Sequence, residues 1–250
     1  MGGERRGGDV VVLASGRSDR LTREVFAGLT GDEAALLASM TRRSASLAPN
    51  RALVDEGEIG IGLFLIVDGW AYRYRRGANG CRQILDFLLP GEIVGLQASL
   101  LGMMEHSAQS LTALRVTVFD PRLVADAFAG TPGLALRLAR QTAAEASRTE
   151  ALMTVIGCGS AMQRLAFLMA SLHRRQQGRA PAEAGANSPS CPFPLRRQHL
   201  ADALGLTGAH VNRTLNRFRD DGIAVAEKRR LTILDPGRLH ELAGVGAEAA

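Results

Sequence analysis

The stretch RQHLADALGLTGAHVNRTLNRFRDDGI, Arg197–Ile223, decides the fold of the C-terminal part of the chain. Apolar residues recur at helical spacing on both sides of a short break, which predicts two short helices. They are Leu200, Ala203 and Leu204 in the first helix and Val211, Leu215 and Phe218 in the second. Gly205 suits the left-handed end of the first helix, and Thr207 suits the N-cap of the second. Two short helices joined by a tight glycine-containing turn predict a helix-turn-helix.

The outward face of the second helix is polar and basic, so it can donate hydrogen bonds to base edges and phosphates. The candidate DNA-binding residues are Thr207, Gly208, Ala209, His210, Asn212, Arg213, Asn216, Arg217, Lys228 and Arg229. The last two lie in Glu227–Arg230, between the β-prone runs Ile223–Ala226 and Leu231–Leu234, which predicts a β-hairpin wing. A helical hairpin with a solvated basic face is the alternative.

The charge distribution supports a nucleic-acid partner. From Leu195 to Leu231, eight Arg or Lys residues face four Asp or Glu residues, so this segment carries a net +4 of the chain's formal +5. The excess positive charge therefore lies where the predicted motif would meet phosphate.

Length and composition limit the remaining possibilities. A chain of 250 residues is long enough for two domains. No apolar run approaches membrane-spanning length, so we expect no membrane partner and a cytoplasmic protein. Cys81, Cys158 and Cys191 are far apart, and the histidines are scattered, so no metal site and no cofactor are predicted. The common enzyme motifs are absent, which argues against an enzyme.

The rest of the chain predicts a β-rich domain between helical segments. Arg20–Arg43 is predicted to be helical, after a mobile leader at residues 1–20. Between Ser44 and Phe119 the β-prone runs are Arg51–Val54, Leu63–Val67, Ala71–Arg75, Gln83–Leu88, Gln109–Leu114 and Arg115–Phe119. Many short strands at regular spacing indicate a β-sandwich or barrel. The predicted domains are residues 21–130, a long helix at 131–157 and a DNA-binding domain at 158–250.

The C-terminal half begins with further helices. Arg122–Phe128 is predicted to be a short helix, and Thr131-Pro132 opens the long one, with Thr at the cap and Pro at the first position. Two stripes follow it at 4-3 spacing, one through Leu134, Leu138, Gln141, Glu145, Arg148, Leu152 and Val155 and the other through Leu136, Ala139, Ala143, Ala146, Glu150 and Met153. Neither is a clean zipper, but small residues allow close approach of a second copy. We expect a homodimer; packing on its own β domain alone is the alternative. Ser160–Arg175 is predicted to form another helix, and Gln176–Pro194 a loop.

This order of elements resembles the Crp/Fnr family of bacterial transcription regulators. The likeness is carried by VDEGEIGIGLFLIVDGWAYRY (Val54–Tyr74), PGEIVGLQASL (Pro90–Leu100), HSAQSLTALRVTVF (His106–Phe119) and LADALGLTGAHVNRTLNRFRDDGI (Leu200–Ile223). It implies an α+β fold with an N-terminal β-roll (a cyclic-nucleotide-binding-like jelly roll), a long dimerisation helix and a C-terminal winged helix-turn-helix. It also implies a homodimer that binds double-stranded DNA at a palindromic promoter and contacts RNA polymerase.

The resemblance does not extend to cyclic AMP binding. Family members that bind the nucleotide have a Glu after the pocket glycine and an Arg-Ser pair. Here Gly95 is followed by Leu96, and the pair is His106-Ser107. Leucine cannot accept the ribose hydrogen bond, and a mostly neutral histidine is a poor substitute for a guanidinium. These four residues mark the candidate effector pocket. A regulator gated by an unidentified effector or by oxidation, with Cys81 as a candidate thiol, stays open as the alternative to one that acts without a ligand.

The resemblance also assigns base contacts. The family often carries an Arg, then a Glu, near the start of the recognition helix, and another Arg four residues after the Glu. These positions are Gly208, Ala209 and Arg213 here, so only the last matches. Arg213 can pair with guanine O6 and N7. Because Ala209 cannot accept from a cytosine amino group, specificity there is expected to be relaxed or to pass to His210 and Asn212.

Overall fold

The computed structural model describes residues 10–13, 20–177 and 189–244. The strands are β1 Val10–Leu13, β2 Thr41–Leu47, β3 Ala52–Val54, β4 Leu63–Asp68, β5 Ala71–Arg76, β6 Arg82–Leu88, β7 Ile93–Val94, β8 Ser107–Ser110, β9 Leu114–Phe119, β10 Ser190–Pro192, β11 Ala224–Glu227 and β12 Arg230–Ile233. The helices are α1 Arg20–Val25, α2 Gly31–Met40, α3 Leu96–Leu101, α4 Leu123–Gly130, α5 Pro132–Cys158, α6 Ala161–Gln177, α7 Arg197–Leu204, α8 Gly208–Asp220 and α9 Pro236–Ala243. The chain divides into two compact units, Met1–Arg75 with Asp86–Ala146 and Arg76–Leu85 with Ser147–Ala250.

The N-terminal unit is a β-roll built from antiparallel strands. One sheet has the order β1-β2-β9-β4-β7 and the other has the order β3-β8-β5-β6. Side chains from both sheets form one apolar core, which includes Leu47, Val54, Ile66 and Val116. The alternation of strands and turns in the sequence is therefore organised as two sheets that share a core.

Strand β4 explains why the run Leu63–Val67 is continuously apolar. Phe64 and Ile66 point into the core of the roll, whereas Leu63 and Leu65 belong to a second cluster with α2, α4 and the start of α5. Successive side chains of a strand lie on opposite faces, and here both faces are covered. This second cluster joins the helices to the roll.

The start of α5 is fixed by a carboxylate from another helix. One Glu33 oxygen accepts the N–H of Thr30 at 2.9 Å and the other accepts the N–H of Leu134 at 3.0 Å. These backbone hydrogen bonds, with that from Thr30 the strongest, hold the pKa of Glu33 below its usual value. The glutamate thus caps two helices at once, satisfying N–H groups that have no partner inside a helix.

The C-terminal unit contains the helix-turn-helix and a three-stranded sheet of order β10-β12-β11. Helix α9 packs along α6, and α8 packs against α6, α7 and β11. The apolar stripe of α6, with Leu165, Leu168, Met169 and Leu172, is buried as its spacing predicts. The core of this unit therefore holds α8 by its apolar side.

Several predicted boundaries were wrong. Residues 41–43 belong to strand β2 rather than to a helix, because β2 pairs with β9 from Thr41 onward. Val10–Leu13, inside the predicted mobile leader, is a strand paired with β2; residues 1–9 and 14–19 lie outside the described residues. The predicted strand Gln109–Leu114 is replaced by β8, which ends at Ser110, and the predicted loop Gln176–Pro194 contains β10. Each strand is fixed by a partner far away in the sequence.

Candidate nucleic-acid interface

The turn between α7 and α8 forms as the local sequence predicts. Helix α7 ends at Gly205, whose φ of 62° lies in the left-handed region that glycine adopts at low cost. Thr207 is the N-cap of α8, and its hydroxyl accepts the N–H of His210 at 3.2 Å. The same hydroxyl lies 3.1 Å from Nδ1 of His210, so the imidazole rests against the start of the helix.

Helix α8 has one buried face and one exposed basic face. Val211, Thr214 and Phe218 are buried, and Leu215 is half-buried. All ten candidate DNA-binding residues, from Thr207 to Arg229, are exposed. The structure brings eight of them together on α8 and its cap and places the other two on the wing. This is the geometry required of a helix that enters the major groove.

The arginines of this face differ in their surroundings. Arg217 lies 3.5 Å from a carboxylate oxygen of Asp221, and Arg219 lies 3.5 Å from one of Asp220. Within the described part of the chain, no carboxylate lies within ion-pair distance of Arg213. Its guanidinium is therefore the one on this helix that can reach a base edge without breaking an ion pair.

The wing is the hairpin of β11 and β12, one residue shifted from the predicted runs. Glu227 pairs with Arg230, which leaves Lys228 and Arg229 as a two-residue turn. Their φ angles are 49° and 62°. A turn with two positive φ angles normally takes Asn-Gly, and other residues are strained in it. Lys228 and Arg229 therefore occupy backbone conformations that favour glycine. Backbone strain of this kind concentrates at functional sites.

A groove between the wing and the start of α7 adds residues that the sequence-based site omitted. It has a volume of about 450 Å³ and an apolar floor that includes Phe193, Leu200 and Leu215. Its polar rim consists of Arg196, Arg197, Gln198, Glu227, Lys228 and Arg229. These rim residues could have been found from the run Arg196-Arg197-Gln198, which directly precedes the apolar residues of α7. A helix N-terminus attracts phosphate, so basic residues there indicate a phosphate contact.

The candidate effector pocket is almost closed. Gly95, Leu96 and His106 line a cavity of only about 10 Å³, which is the space of one water molecule. Ser107, the fourth residue of this candidate pocket, does not line the cavity, and its hydroxyl accepts the N–H of Glu56 at 3.0 Å. Arg73 and Glu145 also line this space, and the sequence did not assign either of them to the pocket.

Two buried histidines make the fold sensitive to acid. Burial, with Arg73 and Arg75 nearby, lowers the pKa of His106 from 6.5 to about 4. Burial, with Arg82 and Arg196 nearby, lowers the pKa of His199 from 6.5 to about 4. In its neutral form His199 accepts the N–H of Arg196 at 3.1 Å through Nδ1, which caps α7.

Stability is expected to fall as the pH drops from about 6.5 toward 4. In this window the unfolded chain binds protons at both histidines and the folded chain does not, so unfolding becomes more favourable. We expect roughly 1 kcal/mol from each histidine at pH 5, after allowance for partial solvent screening. Urea unfolding at pH 7.5, 6 and 5 measures the loss, and His106→Gln with His199→Asn should reduce it. If the free energy of unfolding of this double variant falls as steeply with decreasing pH as that of the wild type, the two histidines are not the cause of the loss.

Known proteins share both units. The model of the Crp-like helix-turn-helix domain matches residues 163–242, and that of the cyclic nucleotide-binding domain matches residues 44–131. The nitrogen fixation regulation protein FixK of Bradyrhizobium diazoefficiens is 28% identical over 201 residues, which cover 80% of this chain and 82% of that protein. The transcriptional activator protein FnrL of Cereibacter sphaeroides is 29% identical over 181 residues, which cover 72% of this chain and 71% of that protein.

The fold comparison agrees with these matches. The structure of FixK2 from Bradyrhizobium japonicum superposes with a TM-score of 0.69 at 25% identity, covering 82% of this chain and 98% of that chain. The matched regions include the β-roll and the helix-turn-helix described above. The chain belongs to the Crp/Fnr family of transcription regulators, on its FixK-like branch.

Proposed function

We propose that the protein is a sequence-specific DNA-binding transcription regulator that acts as a homodimer on a palindromic promoter site. The observation that carries this is helix α8, which is buried on its apolar side and exposes Asn212, Arg213, Asn216 and Arg217 on the other. The strained cationic wing and the basic groove belong to the same unit. Together they supply both base-reading and phosphate-binding side chains.

Helix α5 supports the homodimer. In the described chain its buried residues are Leu134, Ala135 and Leu138, all near its start. Every residue of the stripe Leu136, Ala139, Ala143, Ala146, Glu150 and Met153 is exposed. A stripe with three alanines allows a second helix to approach closely, and two symmetric copies would present α8 twice. Contact with RNA polymerase is part of the same proposal and follows from the family.

The closed cavity argues against the effector-gated alternative. Pockets for small molecules are typically hundreds of Å³, and the one between Gly95 and His106 has about 10 Å³.

Cys81, the candidate redox thiol, is exposed, and its N–H donates to Asn79 Oδ1 at 3.1 Å. Among the residues that the structure describes, no helix has both the length and the apolar character to cross a membrane.

Selection of bound sequences from a random duplex pool tests the proposal. We expect a two-fold symmetric consensus whose half-sites are centred about 10 base pairs, or one helical turn, apart. Sedimentation of the free and DNA-bound protein measures the dimer. A monomer, or a pool with no enrichment at low ionic strength, would overturn the proposed function.

Substitutions in the wing turn are expected to change stability and DNA affinity in opposite directions. In Lys228→Asn/Arg229→Gly the strained turn gains its preferred residues, so we expect the free energy of unfolding to rise by about 1 kcal/mol. The loss of two phosphate contacts should weaken binding to cognate and random duplexes alike and reduce the salt slope by nearly 2. Urea unfolding and fluorescence anisotropy at several salt concentrations measure both. Arg238→Ala on α9 controls for the loss of positive charge. If the salt dependence of DNA affinity is unchanged in the wing variant, Lys228 and Arg229 do not contact phosphate.

A further inference from the structure

A buried ion-pair cluster fills the space where the candidate effector pocket was expected. The guanidinium of Arg73 on β5 pairs with the carboxylate of Glu145 on α5, and it lies 3.9 Å from a carboxylate oxygen of Asp86 on β6. The side chain of Arg73 is 5% exposed and that of Glu145 is 14% exposed. Arg73 and Glu145, with Leu88 and Ile93, line the small cavity beside His106.

The cluster joins the roll to the long helix at a particular point. Near its start, α5 is held by the buried residues Leu134 and Leu138, and the Gln141 amide donates to the Gly91 carbonyl at 3.1 Å. Glu145 lies one turn further on. From Ala139 to Cys158 no residue of α5 is fully buried, so the ion pair attaches α5 beyond Leu138, the last of its buried apolar residues.

Buried ion pairs of this kind add little net stability. Removing two charges from water is costly, and their attraction offsets the cost only in the correct geometry. The ion pair between Arg73 and Glu145 therefore favours one rotation of α5 about its axis and one position of α5 along that axis, relative to the roll. A small effector bound at the same place would have to supply such contacts itself.

We propose that the Arg73–Glu145 pair takes the place of an effector: it holds α5 in the DNA-binding arrangement without any small molecule. The inference rests on the proposed function, because its consequence is measured as DNA affinity. Arg73 and Glu145 are positioning residues, acting through α5 on the presentation of α8.

The test compares Glu145→Ala and Glu145→Met with the control Arg140→Gln, an exposed charged residue on the same helix that lies outside both α5 stripes. We expect both Glu145 variants to lose at least about tenfold in affinity for the selected duplex, since the binding-competent fraction falls. The double variant Arg73→Met/Glu145→Met removes the unpaired buried charge but not the need for a positioned pair, so it should recover stability while its DNA affinity stays low. Full affinity in Glu145→Ala, or full recovery of affinity in the double variant, would overturn the proposal.

Two further measurements separate this proposal from the proposed function. Hydrogen–deuterium exchange of the α5 amides needs no DNA. Faster exchange around residue 145 in Glu145→Ala than in Arg140→Gln supports the tether, and equal exchange overturns it. This holds even if the wild-type protein binds no duplex. Adding 1 mM cyclic AMP, a concentration of roughly the size that saturates weak sites, should leave the wild-type DNA affinity unchanged. A tenfold increase would show that the pocket opens to an effector.

Discussion

Arg213→Ala is expected to weaken binding to the cognate duplex by about 1–3 kcal/mol, or roughly 5- to 150-fold, with a much smaller loss on random DNA. The reason is geometric. Arg213 is exposed on the face of α8 that would enter the major groove. A guanidinium there can donate two hydrogen bonds to guanine O6 and N7, which no other base pair offers in the same place.

Arg217→Ala is the matched control for this prediction. Arg217 lies one turn further along the same exposed face and pairs with Asp221. If it holds the phosphate backbone, its loss should weaken cognate and random duplexes alike and lower the salt slope by about 1. Fluorescence anisotropy with both duplexes at several salt concentrations distinguishes the two roles. Equal losses on both duplexes in Arg213→Ala would contradict base reading.

Phe218→Ala is expected to lower the free energy of unfolding by about 3–5 kcal/mol, the largest effect on stability that we predict. The ring is fully buried on the inner face of α8. Its removal takes away the transfer free energy of an aromatic side chain and leaves a cavity that the packed helices cannot fill.

Denaturant unfolding of the full chain measures this loss. Asn216→Ala, two residues earlier and exposed, should change stability by less than about 0.5 kcal/mol. DNA binding should fall with stability in Phe218→Ala, because the same helix carries Arg213. A loss of under 1 kcal/mol would mean that α8 is not anchored by this ring.

The helix-turn-helix could be predicted because its signals are local. The apolar spacing of Val211 and Phe218, the glycine at position 205 and the cap at Thr207 act within one or two helical turns. The wing was predicted within one residue because its β-prone runs flank a short basic turn.

The sequence could not predict what depends on distant partners. Strand β10 consists of Ser, Cys and Pro in a segment rich in Gly and Pro, and it is a strand only because it pairs with β12. The register of β2 against β9 likewise turned residues 41–43 from helix into strand. Propensity is a weak signal wherever pairing with another strand decides the conformation.

The sequence by itself determined the DNA-reading helix and its exposed arginines, and Leu96 and His106 predicted a pocket without a cyclic nucleotide. Only the tertiary structure decided what fills the space, because Arg73 and Glu145 belong to a strand and a helix that meet through folding alone. Helical and strand periodicities are fixed by neighbours along the chain. A buried charge requires an oppositely charged partner, and a partner that is distant in the sequence cannot be identified from local sequence patterns.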